Sequence, residues 1–273
     1  SLVGSEMCIR DRKFQQILTL ALSLGFLVVF SAWFLIAPDA EESTVERRRL
    51  AKRPALSFSS VTNGSFMNGF EKYMLDQFPL RNGFRGLKAT VSAKVFMKKD
   101  NNGLYSVGEH LSKLDFPTDS ESVDHAARRF RYVYDTYLRN AGTKTYLSVI
   151  PDKNTFIASQ NGYPDKDYKA LTERLRSGFP EAKYIDISGL LSADDFYYTD
   201  SHWRQERITK VADEIAAQMG AERIGTCEIQ DTGRPFYGVY YGQAALPHAP
   251  ERLFYLDNAV ICLLYTSDAA DDK

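Results

Sequence analysis

The stretch TYLSVIPDKN, residues 145–154, places a short run of aromatic and β-branched residues directly before Pro151. A second run of this kind, AKYIDI, occupies residues 182–187. Three segments have apolar residues at helical spacing: residues 120–138, 166–178 and 205–219. Helix, strand, helix, strand and helix in this order predict an α/β domain with a parallel sheet and flanking helices.

Two loop segments adjoin these elements, PDKN at residues 151–154 and FYYTDSHW at residues 196–203. Reactive groups of such domains gather outside the carboxyl edge of the sheet, so we expect both segments there. Asp200 and His202 are two residues apart, a spacing that lets a carboxylate orient an imidazole as a general base. Helix capping by Asp200 or Ser201, with His202 packed in the first turn, is the alternative that the spacing leaves open.

A long uncharged stretch precedes the α/β pattern. Residues 17–37 (ILTLALSLGFLVVFSAWFLIA) form a helix of about 31 Å, enough to cross a bilayer. A buried core helix and a cleaved signal peptide are the alternatives. We expect an uncleaved single-pass anchor in the cell membrane, with the following domain on the extracytoplasmic side. The basic residues at 47–53 oppose this orientation on a simple count, but long domains cross largely regardless of charge.

Both ends of the chain are set aside before the domains are assigned. SLVGSEMCIRDR at residues 1–12 and CLLYTSDAADDK at residues 262–273 resemble translated sequencing-adapter tails, so we expect a C-terminally truncated fragment. The remaining chain is divided into an anchor, a juxtamembrane linker and an incomplete α/β domain: residues 13–37, 38–62 and 63–261. A plain charged helix is an equally good interpretation of the charged stretch at residues 39–54. The domain begins with two apolar helical stripes and a short hairpin: residues 66–78, 84–95 and 104–114.

Composition excludes several classes of site. Lys and Arg number 34 against 35 Asp and Glu, so no overall basic field exists to hold nucleic acid. Cys227 is the one cysteine outside the two tails and has no partner there for an intrachain disulfide. The remaining histidines are scattered, so we expect no metal site and no cofactor.

Four segments and their order resemble the bacterial DHHW family: ERRRLAKRP, FEKYMLDQFPLRNGFRGLK, SVIPDKN and FYYTDSHW. The resemblance covers roughly residues 41–261, and that family is similar in turn to the alginate O-acetylation proteins, which are relatives of SGNH hydrolases. It implies an SGNH hydrolase-like parallel sheet. It also implies that Asp200 and His202 are the Asp and His of a Ser-His-Asp triad, with Trp203 completing the motif and Ser201 in place of its first histidine.

The nucleophilic serine of these relatives follows the Asp-x-His segment, usually in an Asp-Ser pair. No serine occurs between Trp203 and Thr266, and Ser267 belongs to the adapter-like tail and is not assigned as catalytic. Without a nucleophile, the Asp200–His202 pair has no hydroxyl to activate. We therefore expect this fragment to be inactive, whatever the activity of its parent.

The resemblance implies that the parent is an extracytoplasmic O-acyl (acetyl) transferase or esterase acting on cell-envelope polysaccharide. A membrane-bound O-acyltransferase is the implied partner and acyl supplier, and residues 17–37 contact the lipid bilayer. We assign Lys153, Tyr198 and Trp203 to substrate binding: the lysine for an anionic sugar and the aromatic residues for sugar rings. A solvated Lys153 and core packing of Tyr198, as of its neighbour Tyr197, are the alternatives.

Two other functions remain open at this stage. An anchored, non-catalytic polysaccharide-binding or scaffold protein would use the basic residues 47–53 and the aromatic stretch FYGVYYG at residues 236–242. That stretch is otherwise a buried strand with a turn at Gly242. A metal-dependent deacetylase would use Asp200 and His202 as ligands, but the sequence lacks the further histidine that such a site needs nearby.

Overall fold

The structure, a computed structural model, describes residues 2–223 and 225–258, and within residues 2–11 it describes the backbone alone. The tail at 262–273, with Ser267, lies outside the described residues. The chain divides into two compact units, with the boundary between Leu87 and Lys88. This boundary falls inside a helix, and the domain limits predicted at residues 62 and 63 stay a prediction.

The first unit begins with helix α1 (Leu2–Ile36). Its part from Arg12 to Ile36 is long and apolar enough to cross a membrane, and none of it is buried within the protein. The elements that follow are β1 (Glu42–Ser43), β2 (Arg48–Arg49), α2 (Phe58–Thr62), α3 (Ser65–Gln77) and α4 (Arg81–Lys94). The predicted helical stripes at residues 66–78 and 84–95 correspond to α3 and α4.

The segment predicted as a solvated linker contains ordered structure. Strands β1 and β2 pair antiparallel, and Glu46 between them lies 2.5 Å from the Arg81 guanidinium and 3.2 Å from that of Arg48. Arg48 also pairs with Asp76 on α3. The basic stretch at 47–53 therefore contributes Arg48, whose side chain is 41% exposed, to an ion-pair cluster within this unit.

The second unit contains most of the α/β pattern. Its elements are β3 (Leu104–Val107), β4 (His110–Lys113), α5 (Ser120–Val133), β5 (Tyr146–Leu147), α6 (Asn154–Ile157), α7 (Tyr168–Gly178), β6 (Lys183–Tyr184), α8 (Thr209–Met219), β7 (Glu228–Phe236), α9 (Val239–Ala244) and β8 (Glu251–Asp257). A π-helical turn, Tyr134–Leu138, extends α5. Short 3-10 helices are Arg139–Ala141, Ser159–Asn161, Ser188–Leu190, Ala193–Asp195 and Gln205–Arg207.

The helices and the hairpin agree with the sequence pattern. Asp119 caps α5 by accepting hydrogen bonds from the N–H groups of Glu121 and Ser122. Gly220 ends α8 in the left-handed region with φ 73°, where a glycine has no side chain to clash. The hairpin predicted after Asn101 is the antiparallel pair β3 and β4.

The described residues form a mixed helix and strand structure with four two-stranded sheets, and the SGNH-like parallel sheet is not confirmed. Strands β5 and β6 do pair parallel, but each contributes only two residues to the pair. Asp186 ends the second strand because its carboxylate accepts hydrogen bonds from the N–H and hydroxyl of Ser188, which turns the chain into a 3-10 helix. Ile185 and Ile187 are still buried, so apolar content overestimated the strand length.

Two clusters of buried side chains frame the segment that carries Asp200. One joins Ile185, Ile187, Leu191 and Val211, and Trp203 packs on it. The other joins Leu104 and Leu111 of the β3–β4 hairpin to Tyr240 and Ala244 of α9. Residues 196–203, which we call the site loop, have contacts with both clusters through Trp203 and through the Leu111 N–H, which donates to the Tyr198 carbonyl over 2.8 Å.

Candidate functional site

The site loop is closed on itself by backbone contacts. An isolated antiparallel bridge pairs Phe196 with Trp203. Inside it, the Tyr197 N–H donates to the His202 carbonyl over 3.1 Å, and the Asp200 N–H donates to the Tyr197 carbonyl over 3.3 Å. These bonds form a tight turn that holds Asp200 and His202 at its end.

Lys153 binds the backbone carbonyls of the site loop. Its side chain is buried, and Nζ donates to the carbonyls of Tyr197, Tyr198 and Asp200 over 2.9, 3.0 and 2.8 Å. Burial lowers the pKa of Lys153 to about 8, against the opposing effects of Glu251, Asp152 and Asp200. An ammonium has three N–H donors, and all three are used here, so the lysine presents none to a ligand. These contacts fit a lysine that positions the loop, and a substrate contact of Lys153 stays a prediction.

Glu251, the first residue of β8, fixes the other side of the loop. Its carboxylate accepts hydrogen bonds from the N–H groups of Tyr198 and Thr199 over 3.0 and 3.2 Å. Burial raises the pKa of Glu251, although these two bonds and the charges of Arg204 and Lys153 act in the opposite direction. The loop backbone thus has a buried cation on its carbonyls and a buried carboxylate on its N–H groups.

The start of α9 supports Asp200 directly. The Val239 N–H donates to Asp200 Oδ2 over 2.8 Å, and the Tyr240 N–H donates to the Thr199 carbonyl over 3.0 Å. This approach requires glycine at position 238, since a Cβ there would lie 2.2 Å from the Thr199 carbonyl oxygen and 2.5 Å from the Asp200 Cβ. Gly238, Val239 and Glu251 were not identified from the sequence. The one available signal was the glycine within the aromatic stretch FYGVYYG.

Asp200 and His202 are brought together as the spacing predicts. His202 Nδ1 lies 2.5 Å from Asp200 Oδ1, which also accepts the His202 N–H over 3.1 Å. Burial acts to raise the pKa of Asp200, but the hydrogen bonds from Val239 and His202 outweigh it and leave the pKa lowered. The carboxylate is therefore charged at neutral pH, and because it can only accept, the ring must donate from Nδ1.

The two side chains differ sharply in exposure. The Asp200 side chain is 1% exposed and the His202 side chain is 80% exposed. A buried, charged carboxylate that fixes an exposed imidazole through Nδ1 leaves Nε2 to accept and release a proton. This arrangement suits general acid–base chemistry, while the catalytic role of both residues stays a prediction.

The aromatic residues assigned to substrate divide by burial. Trp203 is half-buried against the Ile185–Val211 cluster, so most of its ring packs on the protein. Tyr198 is also half-buried, and its ring meets His110 edge-on with centroids 4.8 Å apart. Tyr197 is buried against Phe236 at 4.7 Å between ring centroids. Of the three, Tyr198 and Trp203 retain exposed surface for a ligand.

One prediction for residues 236–242 was a buried strand, and the structure does not show one there. Strand β7 ends at Phe236, and helix α9 begins at Val239. Tyr240 is buried, with its ring 5.4 Å from Lys153 Nζ. Helix α9 contacts the site loop and the β3–β4 hairpin, which are distant in the sequence. The local pattern of aromatic residues therefore did not predict this helix. Tyr240 is consequently removed from the surface proposed for a polysaccharide-binding protein.

No nucleophile contacts the imidazole within the described residues. Across residues 12–223 and 225–258, no serine or cysteine side chain is hydrogen-bonded to His202. A partner hydroxyl for His202 therefore stays a prediction.

Comparison with known proteins adds two structural neighbours. No protein-family model and no curated protein sequence matches the chain. A DHHW family protein from Eubacterium siraeum is 13% identical with a TM-score of 0.46, and the match covers 59% of this chain and 56% of that one. PatB1 of Bacillus cereus is 12% identical with a TM-score of 0.44, over 57% of this chain and 59% of that one. The chain thus spans less than two thirds of each neighbour, and the solved structures to which it is similar include a DHHW family protein.

Proposed function

We propose that Asp200 and His202 are two members of a Ser-His-Asp triad whose serine is supplied by the continuation of the chain in the parent protein. The observation that carries this proposal is the 2.5 Å contact between His202 Nδ1 and the buried Asp200 carboxylate. The hydrogen bond from the Val239 N–H and the close approach of Gly238 support it, because they hold the carboxylate in place before any substrate binds.

The chemistry follows from the roles of the two residues. His202 Nε2 accepts the serine proton while the serine oxygen attacks the acyl carbon of an ester, and Asp200 stabilises the imidazolium that forms. The imidazolium then gives its proton to the departing alcohol, which leaves an acyl-serine. Water in an esterase, or a sugar hydroxyl in a transferase, then attacks the acyl-serine and loses a proton to His202. His202 returns that proton to the serine oxygen as the carboxylic acid or the acylated sugar leaves.

The proposal also includes the substrate, the cellular location and the partner of the parent protein. The parent is an extracytoplasmic O-acyl (acetyl) transferase or esterase on cell-envelope polysaccharide, held in the cell membrane through α1 and supplied with acyl groups by a membrane-bound O-acyltransferase. The order of the sequence motifs supports the proposed membership of the DHHW family. It likewise supports the proposed SGNH-like sheet and the proposed relation to alginate O-acetylation proteins. The helix from Arg12 to Ile36 supports the anchor.

The experiment measures ester hydrolysis by the full-length parent on p-nitrophenyl acetate. His202→Ala should lower the rate by about 10⁴-fold, and Asp200→Asn by a similar factor, because each removes a member of a unit that works together. His125→Ala is the matched control, since His125 is an exposed histidine of α5. Its rate should equal that of the wild type.

Two results would change the assignment. A His202→Ala parent as active as the wild type would remove the triad. A parent that is inactive in every form but still binds envelope polysaccharide would instead be the anchored binding or scaffold protein.

A further inference from the structure

A short surface segment in the second unit combines exposed apolar side chains with lysines. Residues 94–99 have the sequence KVFMKK, and we call them the 94–99 turn. Val95, Phe96 and Met97 are 67%, 68% and 78% exposed. Three consecutive large apolar residues with this exposure are unusual for a surface that meets only water.

The backbone of the turn is fixed by local hydrogen bonds. Helix α4 ends at Lys94, and the Phe96 N–H then donates to the Val91 carbonyl over 3.1 Å. The Lys98 N–H donates to the Ser92 carbonyl over 3.0 Å, and Met97 between them has φ 52°. Left-handed backbone is uncommon for residues other than glycine, so the apolar side chains are held outward by a defined turn.

Lysines surround these apolar residues. Lys94, Lys98 and Lys99 form no ion pair with any acidic side chain in the part of the chain that the structure describes. The three lysines and Met97 line one cavity of about 490 Å³, which places basic and apolar groups on a shared surface. Asp100 is the one acidic residue lining that cavity, so its net charge is positive.

We propose that the 94–99 turn docks on the surface of an anionic lipid bilayer. Val95, Phe96 and Met97 would enter the boundary between headgroups and acyl chains, and the lysines would lie at the level of the lipid phosphates. The bilayer is the occupant that the chain itself favours, because the same polypeptide carries a helix able to span a membrane. A tether of this kind raises the local concentration of bilayer surface at the turn.

The test reads the environment of the turn in the full chain after reconstitution in lipid vesicles. A background with Cys8→Ser, Cys227→Ser and Cys262→Ser receives Phe96→Cys, labelled with an environment-sensitive nitrobenzoxadiazole dye. In vesicles that contain phosphatidylglycerol, emission should shift to the blue and be quenched by spin-labelled lipid. Met97→Cys should give the same readout from the neighbouring position. Vesicles of phosphatidylcholine alone should give a much weaker response.

Controls separate docking from mere proximity to the anchor. A label at Tyr137→Cys, an exposed position elsewhere in the same unit, should stay in water in both kinds of vesicle. Replacing Lys94, Lys98 or Lys99 by Gln should lower the docked-to-undocked ratio about fivefold for each lysine removed. A label at position 96 or 97 that is as water-exposed as that at 137, or quenching unaffected by anionic lipid and by the lysines, would overturn the proposal.

Discussion

Two carboxylates of this protein are held in similar ways and have different partners. Asp76 in the first unit accepts two hydrogen bonds from the Arg48 guanidinium, over 2.8 and 2.5 Å, and one from the Ala51 N–H over 2.9 Å. Asp200 in the second unit accepts from the Val239 N–H and lies 2.5 Å from His202 Nδ1. Both are well-packed side chains with backbone and side-chain donors.

The partner decides what each carboxylate can do. Arginine keeps its proton at any physiological pH, so the pair of Arg48 and Asp76 serves to hold β2 against α3. Histidine gains and loses a proton near neutrality, and His202 is exposed to whatever approaches the loop. A buried carboxylate therefore becomes a candidate catalytic group when the base that it orients is both titratable and accessible.

The largest effect on stability is expected from Gly238→Ala, because Gly238 packs against the backbone that carries Asp200. The backbone at Gly238 is extended, with φ −75° and ψ 172°, so alanine suffers no backbone strain there. Its Cβ, however, would lie 2.2 Å from the Thr199 carbonyl oxygen, and the site loop must shift. We expect a loss of about 3 kcal/mol in the free energy of unfolding, measured by denaturant titration.

Gly189→Ala is the matched control for this change. A Cβ at Gly189 meets nothing within 4 Å, so its effect should stay within about 0.5 kcal/mol. Equal stability of the two variants would show that α9 does not press on the loop as closely as described.

The close approach at Gly238 also marks the limit of what the sequence could predict. The contact between Asp200 and His202, the hairpin β3–β4 and the helices α5, α7 and α8 depend on residues near one another in the chain, and local patterns predicted them. Lys153 was expected near the loop because both segments follow the α/β pattern to one edge of the sheet. Gly238 and Glu251 act on the loop from positions more than thirty residues away. No spacing rule connects such residues, because the fold alone brings them together.

The strands were overestimated for a related reason. Ile185 and Ile187 are buried, and the Ile185 N–H still donates to the Leu147 carbonyl. The Asp186 carboxylate then accepts hydrogen bonds from the N–H and hydroxyl of Ser188, and the chain turns into a 3-10 helix. An apolar run reports burial, whereas a strand also needs a neighbouring strand, and the sequence does not supply that information.

A smaller effect is expected at the structural carboxylate. The hydrogen bond from Arg48 lowers the pKa of Asp76 to about 2, against an unfolded value of about 3.9. Since the folded pKa is the lower one, this stabilisation is present above about pH 4 and is lost as the pH falls towards 2. Solvent screening limits it to about 1 kcal/mol. The protection of the β1–β2 amides against hydrogen exchange, measured relative to the intrinsic exchange rate at each pH, should therefore decrease over that range.

Asp76→Asn should lower the protection of those amides at neutral pH. It should also remove most of the decrease in protection between about pH 4 and pH 2. Asp135→Asn removes the carboxylate of an exposed pair with Arg139 and serves as the control, with no change at the hairpin. If Asp76→Asn leaves the exchange rates and their pH dependence unchanged, the ion-pair cluster does not stabilise this hairpin.

The most direct measurement is the tautomer of His202 in this chain, read from the ring ¹⁵N chemical shifts under conditions where the imidazole is neutral. Because Asp200 accepts at Nδ1, we predict a proton on Nδ1 and an unprotonated Nε2. Asp200→Asn should weaken that preference, and Gly238→Ala should weaken it in part. A neutral ring protonated mainly on Nε2 in the wild-type chain, unchanged in Asp200→Asn, would contradict the central claim that Asp200 orients His202 as a base.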